Sequence, residues 1–91
     1  MFHVLTLTYL QPLDVIDKTR PDHVAWLQRE IEGGRLLLAG RREDQSGGVL
    51  ITADVSADEA DDVVAGDPYS QAGLVRYERL GFNGAFRAPG L

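Results

Sequence analysis

Arg35–Ala53 reads RLLLAGRREDQSGGVLITA, two short apolar runs around a charged turn that ends on paired glycines. Arg35–Gly40 and Gly47–Ala53 each have the length of a strand, and the six residues between them are polar, which predicts two strands joined as a hairpin. The flanking segments repeat one theme on both sides: a helical pattern and, beyond it, a further strand.

Upstream, Phe2–Tyr9 (FHVLTLTY) alternates His3, Leu5, Leu7 and Tyr9 on one face with Phe2, Val4, Thr6 and Thr8 on the other, as a strand does. Thr19-Arg20-Pro21-Asp22 has the form of a helix start, because threonine caps and proline suits the first turn. Val24, Leu27 and Ile31 then follow helical spacing until Gly33-Gly34 supplies a left-handed stop. Downstream, Ser56-Ala57-Asp58-Glu59 is a capping box, followed by an apolar stripe of Ala57, Ala60, Val63 and Val64 that Gly66 and Pro68 end. Leu74–Leu80 (LVRYERL) predicts a last strand.

The order β-α-β-β-α-β in 91 residues predicts one α+β domain over 1–91, with a core at 2–82 and an irregular tail at 83–91. Right-handed crossovers make it ferredoxin-like: a four-stranded antiparallel sheet of order 4-1-3-2 with both helices on one face. Leu36, Leu37 and Leu38, like Val49, Leu50 and Ile51, then place apolar side chains on both faces of the sheet. A chain this small buries only ~60 to 65% of its unfolded surface, so the uncovered face predicts a homodimer formed sheet to sheet.

Composition removes several function classes. No cysteine and only two histidines, His3 and His23, argue against a zinc site or a thiolate nucleophile. A net charge of -5 with a single lysine, Lys18, leaves no basic stripe for nucleic acid or an anionic membrane. No apolar run approaches the ~20 residues of a membrane span, so a soluble, cytoplasmic protein is expected. The acidic residues Asp58, Glu59, Asp61 and Asp62 read as a solvated helix face rather than a metal site. GxGxxG, GxxxxGK[ST], GxSxG and HExxH are all missing.

The topology also gathers residues. The end of strand one, the start of helix one, the hairpin turn and the end of helix two share one edge of the sheet. That edge collects Tyr9, Arg20, His23, Gly40, Arg41, Ser46 and Asp67, and it makes neighbours of His23 and Asp67. An imidazole beside a carboxylate serves as a general acid or base, with the carboxylate fixing the tautomer and stabilising the imidazolium. A helix start would disfavour that cation while Asp67 favours it. A first-turn histidine would also fill little of the core. Arg20, Ser46 and Tyr9 are the candidate substrate-binding residues; His3, ~20 Å from the end of its strand that carries Tyr9, is structural.

TRPDHVAWL, GGRLLLAG, GGVLITA, SADEA and above all DPYSQAGLV together resemble the YciI-like (YCII-related) family over Phe2 to about Phe82. The combination of Arg20-x-x-His23 with Asp67-Pro68-Tyr69-x-x-Ala72-Gly73-Leu74 carries the resemblance. It implies a ferredoxin-like fold dimerising into an α/β barrel, with a His-Asp pair, His23 and Asp67 here, at the active site. That family resembles muconolactone isomerases and includes a dehydrochlorinase acting on a chlorinated hydroxyquinol.

The resulting expectation is a small enzyme without a cofactor, a lyase or isomerase in which His23 moves a proton on a cyclic or conjugated small-molecule substrate and Asp67 orients it. The alternative is a non-catalytic dimeric module that binds a small ligand. A haem-assisted monooxygenase is disfavoured because Asp67 would engage the only available axial ligand, His23.

Overall fold

The computed structural model describes residues 1–91. Its elements are β1 (Phe2–Tyr9), α1 (Leu13–Glu32), β2 (Leu36–Arg41), β3 (Gly47–Thr52), α2 (Ala57–Ala65), the single turn α3 (Pro68–Gln71) and β4 (Val75–Phe82). The strands form an antiparallel sheet of order β2-β3-β1-β4, the same 4-1-3-2 arrangement read from the other edge, with the helices packed on one face. This is the ferredoxin-like architecture expected from the element order. No helix is long and apolar enough to cross a membrane.

The helix-covered face carries the core. Leu5 and Leu7 of β1, Leu50 of β3 and Leu36 of β2 pack under Ile16 and Trp26 of α1, Val63 of α2 and Tyr69 of α3. Leu5 lies opposite Leu50 in register, so adjacent strands bring their apolar side chains to the same side. In β2 a bulge between Leu36 and Leu38 resets the alternation. Leu36 stays buried, while Leu37 and Leu38 turn out to solvent.

Two boundaries differ from the sequence reading, and both move the site. Helix α1 starts at Leu13, not at Thr19, and runs through Pro21. A proline inside a helix costs ~3 kcal/mol, because it offers no N–H to the carbonyl four residues earlier. The added turns offset this by burying Ile16 completely, worth ~1.5 to 3 kcal/mol, and by bringing Asp17 to an ion pair with Arg41. His23 therefore sits mid-helix and largely buried, not in an exposed first turn, and the expected opposition from a helix N-terminus does not act on it. Gly34, at φ 82°, ends the helix: its N–H donates to Ile31, and the Arg35 N–H donates to Glu30.

The second difference is α3. Pro68 ends α2 as expected, but it also opens a new turn, for which Asp67 is the N-cap and Gly73, at φ 67°, the left-handed stop. The Gly73 N–H donates to Ser70 and the Leu74 N–H to Tyr69, the same double closure that ends α1. The stretch DPYSQAGL thus encodes one complete helical turn, with a cap, a proline at its first position and a glycine after its end. Shifts of a residue or two elsewhere, such as β4 extending to Phe82, are fraying differences.

Candidate active site

His23 and Asp67 come from different elements and meet between α1 and α3. His23 Nδ1 is 2.7 Å from Asp67 Oδ1, and the carboxylate is completely buried. The same Oδ1 accepts the Tyr69 backbone N–H at 3.0 Å, so the bond that caps α3 also aims the carboxylate. Oδ2 accepts the hydroxyl of Tyr77, which reaches over from β4. With three donors, the carboxylate has one orientation, and a buried anion is compensated by hydrogen bonds from every side.

That geometry decides the tautomer of His23. The carboxylate of Asp67 is the acceptor, so Nδ1 carries a hydrogen, and in the neutral ring Nε2 is the nitrogen that holds the lone pair. The ring is clamped flat on Tyr69, with centroids 4.0 Å apart and planes 13° apart, and Trp26 lies 5.5 Å away on its own helix. Burial pushes the Tyr69 hydroxyl up to about 12. Burial, and then the charge of Asp67 beside it, hold the Tyr77 hydroxyl well above the ordinary tyrosine range, so it remains a donor to that carboxylate.

His23 opens onto a cavity of about 140 Å³ between α1 and the sheet. Leu7, Leu27 and Leu50 give it apolar walls, Gly48 also lines it, and Tyr9, Arg20 and Arg41 stand around it. An engineered apolar cavity of about 150 Å³ takes up benzene, so this space suits one six-membered ring. Arg41 donates through Nε to the Tyr9 hydroxyl at 3.0 Å and pairs with Asp17 through its other end. Because a guanidinium only donates, the Tyr9 oxygen is the acceptor there, and its own hydrogen is left for another group. Arg20 lies one helical turn before His23, exposed and outside every ion pair of the chain.

Of the residues expected at the sheet edge, the structure gathers Tyr9, Arg20, His23, Gly40 and Arg41 around the cavity and puts Asp67 directly behind His23. Ser46 is set apart. Its hydroxyl donates to Asp44 within the hairpin, its carbonyl accepts from the Tyr9 N–H, and it takes no part in the cavity wall. His3 lies buried at the far end of β1, donating through Nε2 to the Val55 carbonyl and accepting from Arg79. The acidic face of α2 is exposed, with Asp61 and Asp62 pairing with Arg79 and Arg35. As a donor set for a metal or haem, the cavity offers one imidazole nitrogen, since both oxygens of Asp67 are occupied.

Sequence reasoning did not single out Tyr77. Its signal lay in LVRYERL, where Val75, Tyr77 and Arg79 alternate onto the helix-covered face and Tyr77 pairs with Leu7 in register. Removing its hydroxyl leaves a buried carboxylate oxygen without its donor, at a cost of about 1 to 3 kcal/mol. Tyr77→Phe is accordingly expected to lower the urea midpoint with an unchanged m-value, read by circular dichroism.

The fold is shared with a solved enzyme. 5-Chloro-2-hydroxyhydroquinone dehydrochlorinase (TftG) from Burkholderia phenoliruptrix AC1100, in complex with 2,5-dihydroxybenzoquinone, superposes with a TM-score of 0.75. It is 22% identical, and the match covers 91% of this chain and 94% of that one. A "12 kDa protein" of Mycolicibacterium smegmatis is 79% identical over 24 residues, 26% of this chain and the whole of that sequence. The family model of the YCII-related domain matches residues 1–80, and the chain belongs to that family.

Proposed function

We propose that this protein is a small enzyme that needs no cofactor and moves a proton on a cyclic or conjugated organic substrate, with His23 as the base and Asp67 as its positioning partner. The observation that carries the reading is the buried His23–Asp67 contact of 2.7 Å, made by a histidine that lines a cavity the size of one ring. Nε2 takes a proton from an acidic C–H or O–H of the substrate. Asp67 accepts the Nδ1–H throughout and stabilises the imidazolium by charge. Tyr9 offers its free hydroxyl hydrogen to the oxygen on which negative charge then gathers. The imidazolium returns its proton to another atom of the substrate in an isomerisation, or a leaving group departs with its electron pair in an elimination. The dehydrochlorinase of like fold, with its quinone ligand, supports a ring-shaped substrate.

The second reading, a module that binds a ligand without turnover, is favoured by the same cavity if nothing is transformed in it. Small lactones and hydroxyquinols, incubated with the protein and followed by absorbance and NMR, separate the two. Conversion supports the enzyme, and binding without conversion supports the module.

The working unit in this account is a homodimer. Leu80, Val4, Ile51 and Leu38 stand in register and form one apolar row across all four strands on the face that no helix covers. Leu38 and Leu80 are 60% and 65% exposed, against the rule that small domains hide such a row. A two-fold axis through the sheet matches the row to itself and buries it twice. Light scattering is expected to give about twice the 10.0 kDa of one chain, and Leu38→Glu with Leu80→Glu to return it to one chain. A wild-type mass near a single chain at micromolar concentration would contradict the pairing.

A further inference from the structure

We propose that the ligand of this cavity is a single ring carrying an anionic oxygen substituent, a carboxylate or an ionised enol, held by Arg20. The proposal deepens the reading of the cavity as the ligand site. In a chain of net charge -5, an anion is repelled overall and needs a local cation to hold it. Arg41, the other cation at the cavity, already serves Asp17 and Tyr9, and its pairing with Asp17 raises its pKa further above the usual range. Arg20 is uncommitted. It borders both the ring-sized cavity and the open polar hollow outside it, where Asp17, Pro21 and Arg41 are its neighbours. The two spaces share Arg20, Val24 and Arg41 in their walls. A ring seated against Leu7, Leu27 and Leu50 then has the Arg20 guanidinium in the same wall as the uncommitted cation for a charged substituent.

Isothermal titration of the full-length protein with four probes tests this: benzoate, 2,5-dihydroxybenzoquinone (ionised near neutral pH), the neutral isostere benzamide, and acetate, an anion without a ring. At least one ring anion is expected to bind ~10-fold or more tightly than benzamide and acetate. Benzoate alone or the quinone alone doing so identifies the carboxylate or the enolate. Arg20→Gln is expected to erase that preference and Arg20→Lys to retain part of it, both with unchanged circular dichroism because Arg20 is exposed. His23→Asn is expected to keep the preference, so a failure of the proton-transfer reading shows separately, as lost turnover with intact anion selectivity. Benzamide binding as tightly as both ring anions, no binding of either anion, or a preference that survives Arg20→Gln overturns the proposal.

Discussion

His23→Asn is expected to lower turnover by ~10²- to 10⁴-fold, the usual range for loss of a general acid or base. The amide can neither take a proton at neutral pH nor reach the position that Nε2 occupies. Unlike an exposed first-turn residue, His23 is 8% exposed and stacked on Tyr69, so the change also costs stability. Loss of the ring pair removes about 0.5 to 1.5 kcal/mol, within a total of ~5 to 15 kcal/mol for a domain, so the variant stays folded. The test pairs a rate with a urea midpoint: a fall in rate that the midpoint cannot explain belongs to the chemistry.

Asp67→Asn and Asp67→Ala are expected to differ. Asparagine keeps the shape and can still cap Tyr69, so the fold survives, but it carries no charge to stabilise an imidazolium and can hold the wrong tautomer. Turnover is expected to drop by ~10²-fold or more. Alanine removes the cap, worth about 0.5 to 2 kcal/mol, and strands two buried donors at about 1 to 3 kcal/mol each. Asp67→Ala is therefore expected to lose about 3 kcal/mol or more by denaturant titration, much of a small domain's reserve. Equal stability of the two variants would mean that the three bonds to Asp67 do not act together.

Much of this site is legible in the sequence. The alternation in Phe2–Tyr9, the capping box at Ser56 and the glycines after α1 and in the hairpin specify the element order, and that order alone brings residues 44 positions apart to one edge. What remained hidden depends on partners remote in sequence. Pro21 carries the local signature of a first turn, and only the burial of Ile16 under the sheet shows that the helix began earlier. The α3 turn is four residues long, too short for periodicity, and is held by Asp67 and Gly73. Tyr77 lies on the correct face of β4, but nothing within β4 announces that Asp67 waits across from it. Ser46 shared the edge by topology while its hydroxyl had a nearer acceptor in Asp44.

The central claim is that His23 moves a proton on a ring held in this cavity. Deuterium wash-in tests it directly: small lactones and hydroxyquinols are incubated with the protein in D₂O, and exchange at their acidic C–H positions is followed by proton NMR. Exchange is expected to be accelerated by the wild-type protein and slowed ~10²-fold or more in His23→Asn. Exchange at the wild-type rate in His23→Asn, or no acceleration of any ring compound that the wild-type protein binds, would contradict it.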